Sequence, residues 1–318
     1  MKISVVIPTF NQAAFLEETL RSVLDQGFPE LELIVVDGGS SDGTRDLLEA
    51  HSGQLAWWVS EKDAGQTDAI NKGLRHATGE VWSYLNSDDL LLPGSLAKVA
   101  ECFADPTVMW LGAVSTIFDS SGEIGRIVPT APTRMRDYLT PWSRPMQHVH
   151  PCSNVCFMRR AALEKLGDFD PTYHYGMDME FYTRAVFAGF EMIRLPDVLG
   201  AWRWHGDSKT AREGSAFAFL VDELRIAEKY VDRLEPSERA RVLYEIAGMH
   251  KHLAVRRAQF EDPRGGRARV AWRLLTALRQ QPALLGFRPW LGALRRAVFT
   301  GGNERDPLLT GPEAPSLP

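Results

Sequence analysis

Cysteine is scarce here: Cys102, Cys152 and Cys156 are the only three in 318 residues. Three thiols cannot supply the paired framework of a small secreted domain, so the expected home is a reducing compartment, the cytoplasm. No uninterrupted apolar run reaches the ~18 residues that a spanning helix requires. No G-x-x-x-x-G-K-[ST] occurs, which excludes a P-loop nucleotide hydrolase, and no G-x-G-x-x-G, which removes the usual dinucleotide loop. The opening MKISVVIPTF holds one lysine and no small-residue cleavage site, so it reads as a strand and not as a secretory signal. Acidic residues are missing from 267–299, although the chain as a whole carries a formal charge of −5. That mean hides an asymmetry. Residues 1–250 hold 24 Lys+Arg against 36 Asp+Glu, whereas residues 251–318 hold 12 against 5. An acidic body therefore precedes a basic tail, and the two call for separate readings.

The body has the hydrophobic content of an ordinary globular protein, 44% over the whole chain. Short apolar runs rich in β-branched residues (ISVVI at 3–7, LELIVVD ending at Asp37, LAWWVS, EVWSYLN) alternate with helix-period stretches. In the first of those stretches Phe15, Leu16, Leu20, Val23 and Leu24 share one face. Pro8 is expected to end the first strand, Asp42 to cap the second helix, residues 66–76 to form the third, and Pro93 to open the fourth at N1. Such alternation predicts an α/β fold with a mostly parallel sheet covered on both faces. Right-handed crossovers then bring every strand's C-terminal end to one rim, where ligands of such sheets bind.

The residues at that rim are polar: Pro8-Thr9, Asp37, Ser60–Asp63 and Asn86–Asp89. Each cluster alone has a plain explanation, since Asp and Ser cap helices. Asp88 and Asp89 are adjacent carboxylates that repel unless a hard cation such as Mg²⁺ or Mn²⁺ neutralises them; on spacing alone, a cap before LLLPGSL explains them equally well. The glycine-rich loop 38–43 follows a strand that ends in Asp37, which would repel a pyrophosphate and is better suited to accept hydrogen bonds from a base or ribose.

Residues 3–44 (ISVVIPTFNQAAFLEETLRSVLDQGFPELELIVVDGGSSDGT), 63–94 (DAGQTDAINKGLRHATGEVWSYLNSDDLLLPG) and 169–210 (FDPTYHYGMDMEFYTRAVFAGFEMIRLPDVLGAWRWHGDSKT) together resemble family 2 glycosyltransferases of the GT-A fold, in family order. The resemblance implies a Rossmann-like GT-A domain over 1–214, with a nucleotide-sugar half to about 114 and an acceptor half after it. It implies an inverting transfer from a nucleotide sugar, UDP-linked, to a glycan or lipid-linked glycan, with Mn²⁺ or Mg²⁺ as cofactor. By the same resemblance Pro8, Thr9 and Asn11 contact base and ribose, and Asp37 reads the base. Asp63, Gly65 and Gln66 lie near the nucleotide, and Asp68, Asn71 and Lys72 near sugar or pyrophosphate. Asp88 and Asp89 match the metal pair, its second member on the cation, with His205 near metal and pyrophosphate. Asp178 matches the general base. Met177 departs from the pattern, which usually has Glu before that base. Two alternatives fit the sequence less well. A nucleotidyltransferase would need a basic or glycine-rich triphosphate loop that PTFNQAA lacks, and a non-catalytic relative would be expected to lose Asp89 or Asp178, both present.

Other clusters read more plainly. His148, His150, Cys152 and Cys156 lack the usual structural-zinc spacing, and Cys156 is expected to pack in a strand. Trp57, Trp58, Trp202 and Trp204 are candidate stacking platforms, the last two on one strand face. Residues 115–150 look irregular and are a candidate lid over the acceptor. From 215 helix formers dominate, giving a helical basic extension to about 300 and a flexible tail at 301–318. Seven arginines between Arg267 and Arg296, interleaved with Trp and Leu, suit an anionic membrane surface on the inner face of the cell, with a helix packed on the acidic body or in a dimer as the alternative. No recognisable nucleic-acid motif accompanies them.

Overall fold

The computed structural model describes residues 1–130, 135–139, 150–211, 215–260 and 267–280. Its elements run β1 (Ile3–Thr9), α1 (Ala13–Leu24), β2 (Leu31–Asp37), α2 (Thr44–His51), β3 (Trp57–Ser60), α3 (Gln66–His76), β4 (Val81–Tyr84), β5 (Leu90–Leu91), α4 (Ser95–Cys102), β6 (Trp110–Asp119) and β7 (Gly122–Ile127). Then follow β8 (Cys156–Arg159), α5 (Arg160–Leu166), α6 (Met177–Phe187), β9 (Met192–Arg203), α7 (Ser215–Tyr230), α8 (Pro236–Phe260) and α9 (Arg267–Gln280).

One sheet holds the strands in the order β3-β2-β1-β4-β8-β6-β9-β5, with β7 pairing β6. Its first half is the expected parallel, doubly covered sheet. Every residue of β1 is buried, which is why ISVVIPT is apolar on both faces. Its register runs from Ile3 opposite Leu31 to Thr9 opposite Asp37, and β2 in turn sets Asp37 opposite Ser60. Three strand ends thus lie side by side. Pro8 does not end β1. The β4 pairing stops at Val6 opposite Tyr84, so the missing N–H of Pro8 faces an edge with no ladder bond to lose. Helix α3 lies close on this sheet, and a Cβ added to Gly73 would sit 2.4 Å from Val6 Cγ1. Helix α4 starts at Ser95, two residues after Pro93, because Gly94 takes a left-handed conformation (φ 81°) that no helix continues.

The second half of the sheet is mixed. Strand β8 runs antiparallel to both β4 and β6, and the long β9 runs parallel to β6. The end of β9 pairs antiparallel with β5, Ala201 opposite Leu90. That pairing returns residues 200–205 to the turn that carries Asp88 and Asp89. The segment expected to be irregular from 115 is, up to Ile127, a β6–β7 hairpin turned at Gly122 (φ 117°). Residues 131–134 and 140–149, the rest of the expected lid apart from a short 3-10 turn at Met135–Tyr138, lie outside the described residues, as do His148 and the 301–318 tail.

Two compact units divide these residues. One takes in the described residues of 1–130 and 150–208, the other those of 135–139 and 209–280. The first is built on Ile3, Val5, Ile7, Leu33, Val35, Val81 and Leu111, with α1 and α4 contributing Leu16, Leu20, Leu96 and Val99. The second is helical. Leu224, Ala227 and Tyr230 of α7, Val242, Met249 and Leu253 of α8, and Leu274 of α9 are buried. His250 Nε2 lies 2.7 Å from Glu228 Oε1, between α8 and α7. No helix among the described residues is long and apolar enough to cross a membrane.

Candidate active site

The rim formed by the ends of β1, β2 and β3 is organised by Asp37. Its carboxylate is fully buried and accepts from the Ser40 N–H (3.0 Å), the Ser40 hydroxyl and the Ser60 hydroxyl (2.6 Å). The loop 38–43 wraps round it and reaches the turn after β1. Asn11 adopts φ 52°, a conformation Asn tolerates, and its Oδ1 accepts from the Ser41 N–H at 3.0 Å while its own N–H donates to Ser40 Oγ at 2.7 Å. Gly43, not Asp42, is the N-cap of α2; Asp42 one residue earlier ties two helix starts together, accepting from Thr44 N–H (3.1 Å) at α2 and from Ala13 N–H (2.9 Å) at α1. Two further features mark this rim. The Thr9 hydroxyl is buried without a hydrogen-bond partner among the described residues, and Phe10 is 59% exposed immediately after it. Sequence reasoning passed over Phe10, although an aromatic directly after a strand end was its signal. Asp63 closes the rim against Gly38, where an added Cβ would lie 3.0 Å from its Oδ2; burial raises its carboxyl, opposed by a hydrogen bond from Gly65 N–H.

The turn after β4 carries the two adjacent carboxylates, and they face different ways. Asp89 is 1% exposed; its Oδ1 accepts from the Arg203 N–H at 3.0 Å and its Oδ2 from Asn86 Nδ2 at 3.2 Å. Burial, then the neighbouring charge of Asp88, push Asp89 well above the usual carboxylate range. Asp88 is 17% exposed, and its Oδ2 lies 3.0 Å from His205 Nε2. Of the two, Asp89 is tied to the start of the segment after β9's pairing with β5, and Asp88 is the more accessible. His205 is held against Phe15, ring centroids 4.5 Å apart. No group of three or more His, Cys, Asp or Glu among the described residues is arranged to hold a metal alone. One carboxylate and one imidazole do fit a hard cation that completes its shell with phosphate oxygens and water.

Helix α6 brings the third carboxylate. Phe169 stacks on Phe181 (4.1 Å, 14°), with Trp82 and Tyr84 edge-on, which fixes the start of α6 against β4. Asp178 lies in the first turn of α6, half-buried, and its Oδ1 accepts from Met179 N–H at 2.8 Å. The half-buried Cys152, whose thiol is raised first by burial, feels the charges of both Asp89 and Asp178 and so lies within electrostatic reach of each. Met177 is buried, and Thr67 Oγ1 donates to its sulfur at 2.9 Å. The position that usually carries Glu packs here on α3.

The other expected contact residues have hydrogen-bond partners within the protein. Asn71 is buried and spends its amide on the Phe169 backbone, donating to O (2.8 Å) and accepting from N–H (2.9 Å); it clamps α3 to the segment before α6. Lys72 donates to Glu61 Oε1 at 2.7 Å on the surface. Asp68 accepts from Ala64 N–H at 3.2 Å in the first turn of α3. Gln66 Nε2 donates to Asn86 Oδ1 at 2.7 Å and so ties Gly65 and the start of α3 to the Asp88 turn. Cys156 is core as expected: Trp110 Nε1 donates to its sulfur at 3.2 Å and burial pushes the thiol up to about 12. Trp57 stacks on His76 (3.7 Å), and Trp202 and Trp204 meet edge to face at 5.4 Å.

Comparison with known proteins agrees with this layout. The profile described as glycosyl transferase family 2 matches residues 4–167. An uncharacterized glycosyltransferase of Nostoc sp. is 30% identical over 228 residues, covering 68% of this chain and 69% of that one. A GalNAc(5)-diNAcBac-PP-undecaprenol beta-1,3-glucosyltransferase of Campylobacter jejuni is 35% identical over 104 residues, 31% of this chain and 34% of its own. Among solved structures, S. aureus TarS superposes with TM-score 0.60 at 20% identity over 93% of this chain, which spans 55% of TarS; its 1-349 portion is solved with UDP and with UDP-GlcNAc. A Pyrobaculum calidifontis mannosyltransferase in complex with GDP-Man and Mn2+ gives 0.58 at 23% identity over 93% of this chain and 84% of that one. With a profile match across half its length and a parallel sheet that ends in the expected carboxylates, the chain belongs to glycosyl transferase family 2 and has the GT-A fold.

Proposed function

We propose that the chain is an inverting, divalent-metal-dependent glycosyltransferase that moves a sugar from a nucleotide donor, UDP-linked, to a glycan or lipid-linked glycan. The observation that carries the reading is the Asp88–His205 pair, Oδ2 to Nε2 3.0 Å, on the turn that follows β4 of the parallel sheet. In this reading Phe10 offers a flat face to the base, and the Thr9 hydroxyl and Asn11 bond base or ribose. Asp88 and His205 hold Mn²⁺ or Mg²⁺ together with the donor diphosphate. When bound, the cation offsets the charge that develops on the departing nucleoside diphosphate. Asp178 accepts the proton of the acceptor hydroxyl as that oxygen attacks the anomeric carbon from the face opposite the leaving group. In-line attack inverts the anomeric configuration and needs no covalent sugar–enzyme intermediate. The bound donors of TarS and of the P. calidifontis enzyme, and the lipid-linked substrate in the name of the C. jejuni relative, support the choice of donor and acceptor classes. A thermal-shift screen of UDP-, GDP- and dTDP-sugars with and without Mn²⁺ tests it, because a bound donor stabilises the folded chain. The expected result is a Mn²⁺-dependent rise with UDP-sugars; no shift with any donor would overturn the reading.

A second reading concerns where the enzyme works: it sits peripherally on an anionic cytoplasmic membrane face. Supporting it, Trp272 (70% exposed), Leu275 (48% exposed) and exposed Arg279 share one face of α9, in a stretch without acidic residues. The rest of that stretch, 281–299, lies outside the described residues. Co-sedimentation with anionic vesicles should fall for Trp272→Ala/Leu275→Ala and at high salt; equal sedimentation would argue for packing on protein instead.

A further inference from the structure

We propose that Arg203 is the positioning residue of the cation site, setting the distance between Asp88 and His205 without touching donor or acceptor. The inference rests on the reading of Asp88 and His205 as the cation-binding pair.

Arg203 closes β9 and meets three separate parts of the sheet unit: the Asp88–Asp89 turn, α1 and β6. Its backbone N–H donates to Asp89 Oδ1 (3.0 Å), its Nε to the Asp88 carbonyl (2.9 Å), and its Nη2 to Glu18 Oε2 of α1 (2.6 Å). The guanidinium lies over two rings, 4.5 Å from the Phe118 centroid and 5.1 Å from that of Phe15. Phe15 is also the ring against His205. One side chain therefore grips the main chain of Asp88, supports the ring behind His205, and lies two residues before that histidine. The planar fork accounts for the geometry. Nε and Nη2 donate to two different acceptors while the flat face stacks, which an ammonium on a flexible stem cannot reproduce.

The test uses the full chain and isothermal titration of UDP with and without Mn²⁺, on wild type, Arg203→Lys and Arg203→Met, with circular dichroism to verify folding. Arg203→Lys keeps the backbone donor to Asp89 and a positive charge between the rings, so it carries the decision if Arg203→Met fails to fold. The expected result is that UDP affinity with Mn²⁺ falls about 10- to 100-fold, as for other groups that orient metal ligands, while UDP affinity without Mn²⁺ is unchanged. In turnover assays the Mn²⁺ concentration for half-maximal rate should rise by the same factor, and saturating Mn²⁺ should restore kcat. A general loss of stability would lower both affinities together and would overturn the proposal, as would an unchanged Mn²⁺ dependence in folded Arg203→Lys. Wild-type chain that fails to bind UDP with Mn²⁺ would overturn the donor-site reading itself, a different outcome from either.

Discussion

At the starting end of β1 and β2, Glu32 is buried and surrounded by donors: Ser4 Oγ (2.5 Å), Thr78 N–H (2.6 Å), Thr78 Oγ1 (2.7 Å) and Lys2 Nζ (2.5 Å). Burial alone would raise its carboxyl, but these bonds outweigh it and bring the group down to about 2. At the finishing end of the same sheet, after β3 and β4, the half-buried Asp63 and the buried Asp89 have fewer donors and like charges nearby, and both are pushed up. The residue class and the sheet are the same, yet the shifts have opposite sign. A carboxylate saturated by its own protein stabilises the fold, whereas carboxylates crowded together leave work for a ligand or a cation. The comparison separates a structural end of the sheet from a chemical one, and substitutions at the two ends should separate accordingly.

The largest effect is expected at Asp178→Asn, which should lower kcat by about 10²–10⁴ while leaving Mn²⁺·UDP binding and Tm near wild type; rate and titration measured on one preparation check this. Asp88→Asn comes next, with a loss of about 10- to 100-fold in Mn²⁺-dependent UDP affinity and little change in stability. Glu32→Gln should do the reverse, costing about 1–3 kcal/mol of stability by denaturant titration with kcat intact. Its sign with pH is fixed. The folded carboxyl lies below its ordinary value of 4.5, so its contribution is complete above that pH and is lost as pH falls through about 2. The Tm gap between wild type and variant should close in acid. Asn71→Ala should behave as a structural change too, destabilising by about 1–3 kcal/mol without altering donor affinity, since its partners are the Phe169 backbone groups. Lys72→Ala should be smallest, within ~1 kcal/mol and without effect on donor affinity, because it breaks a surface pair with Glu61.

Legibility in the sequence followed the same division. The parallel half could be read because each strand is a short apolar run and each site residue follows a strand end: Thr9, Asp37, Asp63 and Asp88 arrive at the rim by topology alone. What the sequence could not convey was which way side chains turn. Asp88 and Asp89 are indistinguishable as letters, and only the return of β9, 114 residues on, buries one of them. Arg203 was overlooked for that reason: its partners at Phe15, Glu18, Asp88 and Phe118 are local to nothing in the sequence. The clamp of Asn71 on Phe169 was hidden in the same way, because it spans 98 residues. The β6–β7 hairpin was missed for a different cause. Its polar turn and glycines disguised a strand pair, although Ser120-Ser121-Gly122 between β-branched runs is a hairpin signal.

The central claim is that the finishing end of the parallel strands binds a nucleoside diphosphate through a cation on Asp88. Its most direct test is calorimetric titration of UDP into wild-type chain and into Asp88→Asn, each with Mn²⁺ and with chelator. Binding to the wild type that is strengthened by Mn²⁺, with that gain lost in Asp88→Asn, is the predicted result. UDP binding that is absent, or equal in all four titrations, would contradict it.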